Sequence, residues 1–112
     1  MNAPIRRGEL YWIASSSMAH PHVVVQDDVF NDSRVPTVIV CSLSSQLHKA
    51  SEPGNVLLDP GEGDLPQQSV VVVSQIDAVP KSQLGDRIGA LSQARVDQIL
   101  DGLRFQQRSF TR

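Results

Sequence analysis

A small antiparallel β-barrel or strongly bent sheet, closed by one C-terminal helix, is the fold class this sequence predicts. Three observations carry it. Short β-branched runs bounded by Pro, Gly, Asp and Asn recur every 10–18 residues or so through the first three-quarters of the chain. The hydrophobic period then changes to that of a helix in the last quarter. Finally, 112 residues with 40% apolar and 20% charged side chains suit one modest core. Aromatics make up only 4%, so that core must be aliphatic. One domain is expected over 1–112, with strands from about 9 to 90 and a helix over about 92–104.

The elements follow in order. Leu10-Tyr11-Trp12-Ile13 comes after the breaker Gly8, and Val23-Val24-Val25 runs from Pro21 to the polar cluster Gln26-Asp27-Asp28. Thr37 to Cys41 follows Pro36, and Val56-Leu57-Leu58 follows the turn pair Pro53-Gly54. Asp59 to Asp64 is an acidic turn, and Ser69 to Ser74 holds four consecutive valines. Gly85 and Gly89 read as turn glycines. Ser92 can cap a helix whose apolar face is Val96, Ile99, Leu100 and Leu103, with Gly102 weakening its end by up to ~1 kcal/mol. Phe105 and Phe110 are left over as apolar anchors for the body or for a second subunit.

Composition excludes several classes. A net charge of −2 rules out a uniformly basic nucleic-acid coat, so polyanion binding needs a local patch; Arg6, Arg7, Arg104, Arg108 and Arg112 could supply one if the termini lie near it. The single cysteine, Cys41, excludes an intrachain disulfide and a Cys-based zinc site, and its apolar run makes it a small buried hydrophobe rather than a nucleophile. No apolar run approaches the ~18–20 residues of a membrane span, and Leu10 to Ala14 is too short for a signal-peptide core, so the cytoplasm is the expected compartment. The common hydrolase, nucleotide-loop and zincin motifs are missing.

Two clusters remain. His20 and His22 lie two apart on a strand and share a face. They can serve as acid and base or start a metal site, though only His48 and carboxylates remain as further ligands, so no metal or cofactor is expected. Taken alone, they read rather as two partly exposed histidines at a strand end than as a site. Ser42-Leu43-Ser44-Ser45-Gln46, with His48 and Lys49, leaves the third strand as a polar loop. It is a candidate site or simply a turn capped by serine hydroxyls.

In order, these segments resemble the MazF/PemK family of bacterial toxin endoribonucleases. The resemblance is carried by Arg7 to Trp12, His20 to Asp28, Asn31, Thr37 to Gln46, Pro53 to Leu58, Leu65 to Val70, Ser74-Gln75-Ile76, Lys81 to Ile88 and Leu91-Ser92. It implies an SH3-like small β-barrel of the MazF/PemK/CcdB kind, a homodimer, and sequence-specific cleavage of single-stranded RNA without metal. It also implies a cognate, MazE-like antitoxin whose disordered C-terminal tail occupies the RNA groove. The family usually carries Arg-Pro entering the second strand and Thr or Ser just after the third; here those positions are His20, before Pro21, and Ser44. The resemblance therefore points to His20, Ser44 and His22 as catalytic, and to Arg7, Ser45, Gln46, Lys49 and Gln75 as RNA-binding. Two alternatives use the same fold: a toxin that binds DNA gyrase, and a degenerate member that only binds its antitoxin.

Overall fold

In the computed structural model, which describes residues 4–15 and 17–108, six antiparallel strands form one curled sheet. They are β1 (Glu9–Ser15), β2 (Met18–Val24), β3 (Thr37–Ser44), β4 (Val56–Leu57), β5 (Val70–Pro80) and β6 (Arg87–Ala90), in the spatial order β4-β5-β3-β2-β1-β6. A one-turn helix α1 (Asp28–Asn31) follows β2, and α2 (Gln93–Gln107) ends the fold. This is the expected architecture. Ser92 caps α2 as expected, its side chain accepting from the Arg95 N–H at 3.2 Å. Phe110 and Arg112 lie outside the described residues.

The two faces of the sheet make two cores. One holds Leu10, Val23, Cys41, Val71 and Val73 under Ile99 and Leu103 of α2. The other is smaller, with Ile13, Val24, Val38, Val40 and Val79. Alternation along each strand divides the side chains between them. Burying an aliphatic side chain of this size is worth ~1.5–3 kcal/mol. Cys41 sits fully buried in the first core, and burial alone pushes its thiol up to about 12. It is packing, as its sequence context predicts.

Two features depart from expectation. The valine run is only the start of β5, which continues to Pro80 through a bulge. Cys41 pairs with Ile76 while Leu43 pairs with Val71, so one β3 residue, Ser42, faces four on β5, Val72 to Gln75. Ser74, where the valine run ends in the sequence, and Gln75 both lie in this bulge. Gly89 is not a turn glycine but lies inside β6, where a Cβ would collide with the Gly63 carbonyl. That contact brings the acidic turn against β6. The turn hangs from the β4 side of the sheet, so the barrel is closed by a loop where strand pairing stops. Arg95 of α2 clips it with a fork on Glu62, at 2.8 and 3.1 Å. Burial opposes ionisation of Glu62, but the Arg95 fork and the Asp59 N–H hold its carboxyl below the ordinary range.

Gly102 likewise serves close approach rather than merely weakening the helix. A Cβ there would meet the Gly54 carbonyl and a Val73 methyl, so the glycine lets α2 lie against the loop before β4. Gly102→Ala at an open helix position would gain up to ~1 kcal/mol. Here overpacking outweighs propensity, and the substitution is expected to destabilise by about 1–3 kcal/mol, read as a lower urea midpoint at unchanged slope. A higher midpoint would show that the contact relaxes without cost.

Candidate nucleic-acid groove

The β2–β3 ladder pairs Val24 with Val40, Val23 with Cys41 and His22 with Ser42, and goes no further. The same register carried on would set Pro21 against Leu43 and His20 against Ser44. Proline has no N–H to give a ladder, and below His22 the two strands part. On its other side Pro21 stays opposite Trp12 of β1. The parting opens a groove of about 640 Å³.

Side-chain alternation puts His20 and His22 on one face of β2, with Ser42 and Ser44 on the matching face of β3. Ser45, Gln46 and Lys49 follow from the end of β3 and the 3-10 turn Leu47–Ser51, and Gln75 enters from the bulge in β5. Seven of the eight residues singled out in the sequence thus line one groove. The eighth, Arg7, does not. Its Nε donates to the Val25 carbonyl at 2.9 Å and its Nη2 lies 3.7 Å from Asp27, so it ties the start of β1 to the segment after β2. Of the other arginines considered as a patch, those among the described residues are also placed elsewhere. Arg6 pairs with Asp32 at 2.8 Å, Arg104 with Asp101 at 2.9 Å, and Arg108 lies over the Phe105 ring.

The groove is cationic by exclusion. None of its lining residues is Asp or Glu, and Lys49 makes no ion pair among the described residues. Asp27, Asp28, Asp32, Asp59 and Glu62 are held by arginines elsewhere, while Asp77 lies close enough to act on His22 without lining the groove. Trp12, Ser42, Gln67 and Ser69 also line it. Ser42 had a readable signal, since it stands two residues before Ser44 and shares its face. Gln67 had none, because its place depends on how the loop before β5 folds back. Among the described residues, no three His, Cys, Asp or Glu side chains are grouped to hold a metal.

Two hydrogen bonds set the groove's protons. His22 Nδ1 lies 2.9 Å from the His20 carbonyl oxygen. A carbonyl only accepts, so Nδ1 carries the proton and Nε2 keeps its lone pair. Ser44 Oγ accepts from the Gln46 N–H at 3.1 Å. The turn-capping reading of that serine is therefore correct, and its own O–H remains available to donate. Burial pushes the His22 pKa below the ordinary value, and the nearby His20 imidazole adds to this; the His20 carbonyl and Asp77 oppose it without overcoming it.

The family comparison fits this fold. Residues 6–106 match the family model described as the PemK-like, MazF-like toxin of type II toxin–antitoxin systems. The chain belongs to that family. It is 35% identical over 107 residues to Endoribonuclease MazF6 of Mycobacterium tuberculosis, covering 89% of this chain and 94% of that protein. Endoribonuclease EndoA of Bacillus subtilis is 28% identical over 106 residues, covering 88% and 90%. Among solved structures, a mycobacterial endoribonuclease in complex with its cognate antitoxin superposes with a TM-score of 0.79 at 21% identity, over 95% of this chain and 99% of that one. A MazE–MazF structure from Deinococcus radiodurans gives 0.77 at 15% identity, over 96% and 100%. These relatives are named endoribonucleases or toxin–antitoxin complexes, which supports the leading expectation and not the gyrase-binding alternative.

The lowered His22 pKa has a consequence for stability. The unfolded chain binds that proton more tightly, so stability rises with pH from the folded value up to the ordinary 6.5 and is level outside that window. His22→Gln is expected to flatten that rise in urea titrations. By NMR, the wild-type His22 ring should titrate below 6.5. A midpoint above it would mean that the carbonyl and Asp77 outweigh burial.

Proposed function

We propose that this toxin, acting as an endoribonuclease on single-stranded RNA, uses His20, His22 and Ser44 as its catalytic groups. The observation that supports this is the parting of β2 and β3 at Pro21, which sets two imidazoles across from two serines in a groove free of carboxylates. An RNA backbone needs such a place, because a carboxylate beside the scissile phosphate would repel it.

The reaction is a transesterification within the RNA. The 2′-hydroxyl oxygen bonds to phosphorus while the bond from phosphorus to the 5′-oxygen breaks, leaving a 2′,3′-cyclic phosphate and a 5′-hydroxyl. His22 Nε2, unprotonated, takes the 2′-hydroxyl proton, and its lowered pKa keeps that base in working form to more acid pH. His20, exposed at the open stretch of β2, gives its proton to the departing 5′-oxygen. Ser44 donates its free O–H to a phosphate oxygen, and Lys49 supplies the nearby positive charge. Ser45, Gln46 and Gln75 contact the flanking nucleotides.

Residues 1–112 act as one toxin domain in the cytoplasm, as a homodimer whose pairing covers exposed Phe105, and the tail of a cognate antitoxin competes for the groove. No helix of the described residues is long and apolar enough to cross a membrane.

Purified protein incubated in EDTA with long single-stranded RNA should yield discrete fragments ending in cyclic phosphate. His20→Ala should lower that cleavage roughly 10²–10⁴-fold with the fold intact, and His20→Arg should flatten the alkaline limb of the pH–rate profile. Ser44→Ala should cost about 0.5–1.5 kcal/mol, or up to ~3 if the hydroxyl donates to a charged oxygen. Unchanged cleavage by His20→Ala from about pH 5 to 9, the span of an imidazole titration, would sink the assignment.

A further inference from the structure

The groove is lined from both faces of the sheet, and the catalytic scheme uses only one of them. Residues opposite each other in an antiparallel pair share a face, so Trp12, paired with Pro21, stands on the face away from His20 and His22. Both sets line the same groove, which therefore runs through the sheet where β2 and β3 part. Trp12 is the only tryptophan of the chain. It is partly buried yet belongs to neither core. Its indole N–H makes no hydrogen bond among the described residues, while none of their buried side-chain nitrogens lacks a partner, so the polar edge of the ring is open to solvent. The backbone beneath it is held firmly. Its N–H donates to the Asp86 carbonyl at 3.0 Å, and its carbonyl accepts from the Gly85 N–H at 2.7 Å. A Cβ on Gly85 would stand 2.6 Å from that carbonyl oxygen, so only glycine lets this segment lie against Trp12. Both backbone groups of Trp12 thus point away from Pro21, which makes theirs the kind of pair whose side chains come closest.

We propose that Trp12 is a stacking platform for one unpaired base of the RNA, which passes between the parted strands while its phosphate stays with His20, His22 and Ser44. The inference rests on single-stranded RNA occupying this groove. A nucleotide carries an anionic phosphate at one end and a flat, largely apolar base at the other. The groove offers the matching pair of surfaces: imidazoles and hydroxyls on one face, and the Trp12 ring beside Pro21 on the other. A base splayed out of a single strand loses its stacked neighbours and regains that contact on an aromatic ring. Every base has such a flat face, so the platform holds the strand without reading its sequence. A duplex cannot use it, because its bases are already stacked and paired. Trp12 thereby favours single strands over duplexes at a site whose catalytic groups touch only the backbone.

Because no other tryptophan is present, the protein's indole emission reports on Trp12 alone. The probes are 2′-O-methyl oligo(U) and an abasic oligomer of the same length and charge, neither of which can be cleaved through a 2′-oxygen. Both are titrated at one fixed salt concentration, following emission with unlabelled probe and anisotropy with fluorescein-labelled probe. Oligo(U) is expected to quench the emission and to bind about 5- to 150-fold more tightly than the abasic oligomer, the worth of one base stacked on an aromatic ring. The abasic oligomer should bind with the emission unchanged. Trp12→Leu should remove most of that difference by weakening oligo(U) alone, and Trp12→Phe should keep part of it. Lys49→Ala should weaken both probes alike, as loss of a phosphate contact does. If Trp12→Leu does not fold, the emission of the wild-type protein carries the test. Equal quenching by the abasic oligomer assigns the change to the phosphates and overturns the platform. So does oligo(U) binding that leaves the emission unmoved. Binding of neither probe overturns the RNA groove itself, and this proposal with it.

Discussion

Pairing between β2 and β3 lasts for three residue pairs and stops where Pro21 would have to join it. A proline in a central strand removes a donor that the ladder needs, so the sheet can keep it only where that side of the strand is open. Here the open side is the groove. On one side of the break His22 and Ser42 are held by the ladder; on the other His20 and Ser44 stand apart with room between them. Had the register continued, they would be cross-strand neighbours filling each other's space. The candidate site is thus the sheet's own unpaired stretch, fixed on both walls by strands that pair elsewhere: β2 with β1 from Met18 to Val23, β3 with β5.

The bulge in β5 complements that break. An unbroken β3–β5 ladder would keep Gln75 in strand register and leave Ser42 opposite a ladder partner. Spending four β5 residues against one instead buries Val72 and Val73, lets the Val73 N–H find Asn55 Oδ1 at 3.0 Å, and swings Gln75 into the groove. Charge is sorted by the same architecture. Asp27, Asp28 and Asp32 sit with Arg6 and Arg7 at the far end of β2, and Asp59 and Glu62 sit with Arg95 by the helix. A chain of net charge −2 thereby keeps one concave surface without a carboxylate.

The sequence made the strands and helix legible because their signals are local. Valine runs between breakers fixed the start of β5 and most of β3, and the spacing of Val96, Ile99 and Leu103 fixed the buried face of α2. What was not legible depends on contact between distant segments. Gly89 and Gly102 look like breakers in one dimension; their purpose is Gly63 and Gly54, some 26 and 48 residues away (89 − 63 and 102 − 54). Arg7 looked like a phosphate ligand until the fold set it beside Asp27 and the Val25 carbonyl. Ser74 closed the valine run in the sequence because a bulge and a terminus share the same polar signature. Among the groove residues, those on β2 and β3 were found by alternation; Trp12 was not, because it reaches the groove from β1 opposite Pro21, nor was Gln67, whose position is set by the path of the loop before β5.

Placing histidine where the family usually has arginine redistributes the work that the groove must do in the proposed mechanism. Arginine brings a permanent charge and a planar fork that grips a phosphate, but it transfers protons poorly. Imidazole reverses that balance. With His20 and His22 on β2 both committed to protons, the charge on the phosphate has to be met from the opposite wall, by Lys49 and the Ser44 hydroxyl. A neutral hydroxyl is worth little in water, yet it works in a groove whose lining holds no carboxylate to compete for it. The division also explains why the two walls must be held apart. In that mechanism an RNA phosphate lying between them completes the interrupted row from β2 to β3, taking up hydrogen bonds that the sheet, by stopping at Pro21, leaves unmade.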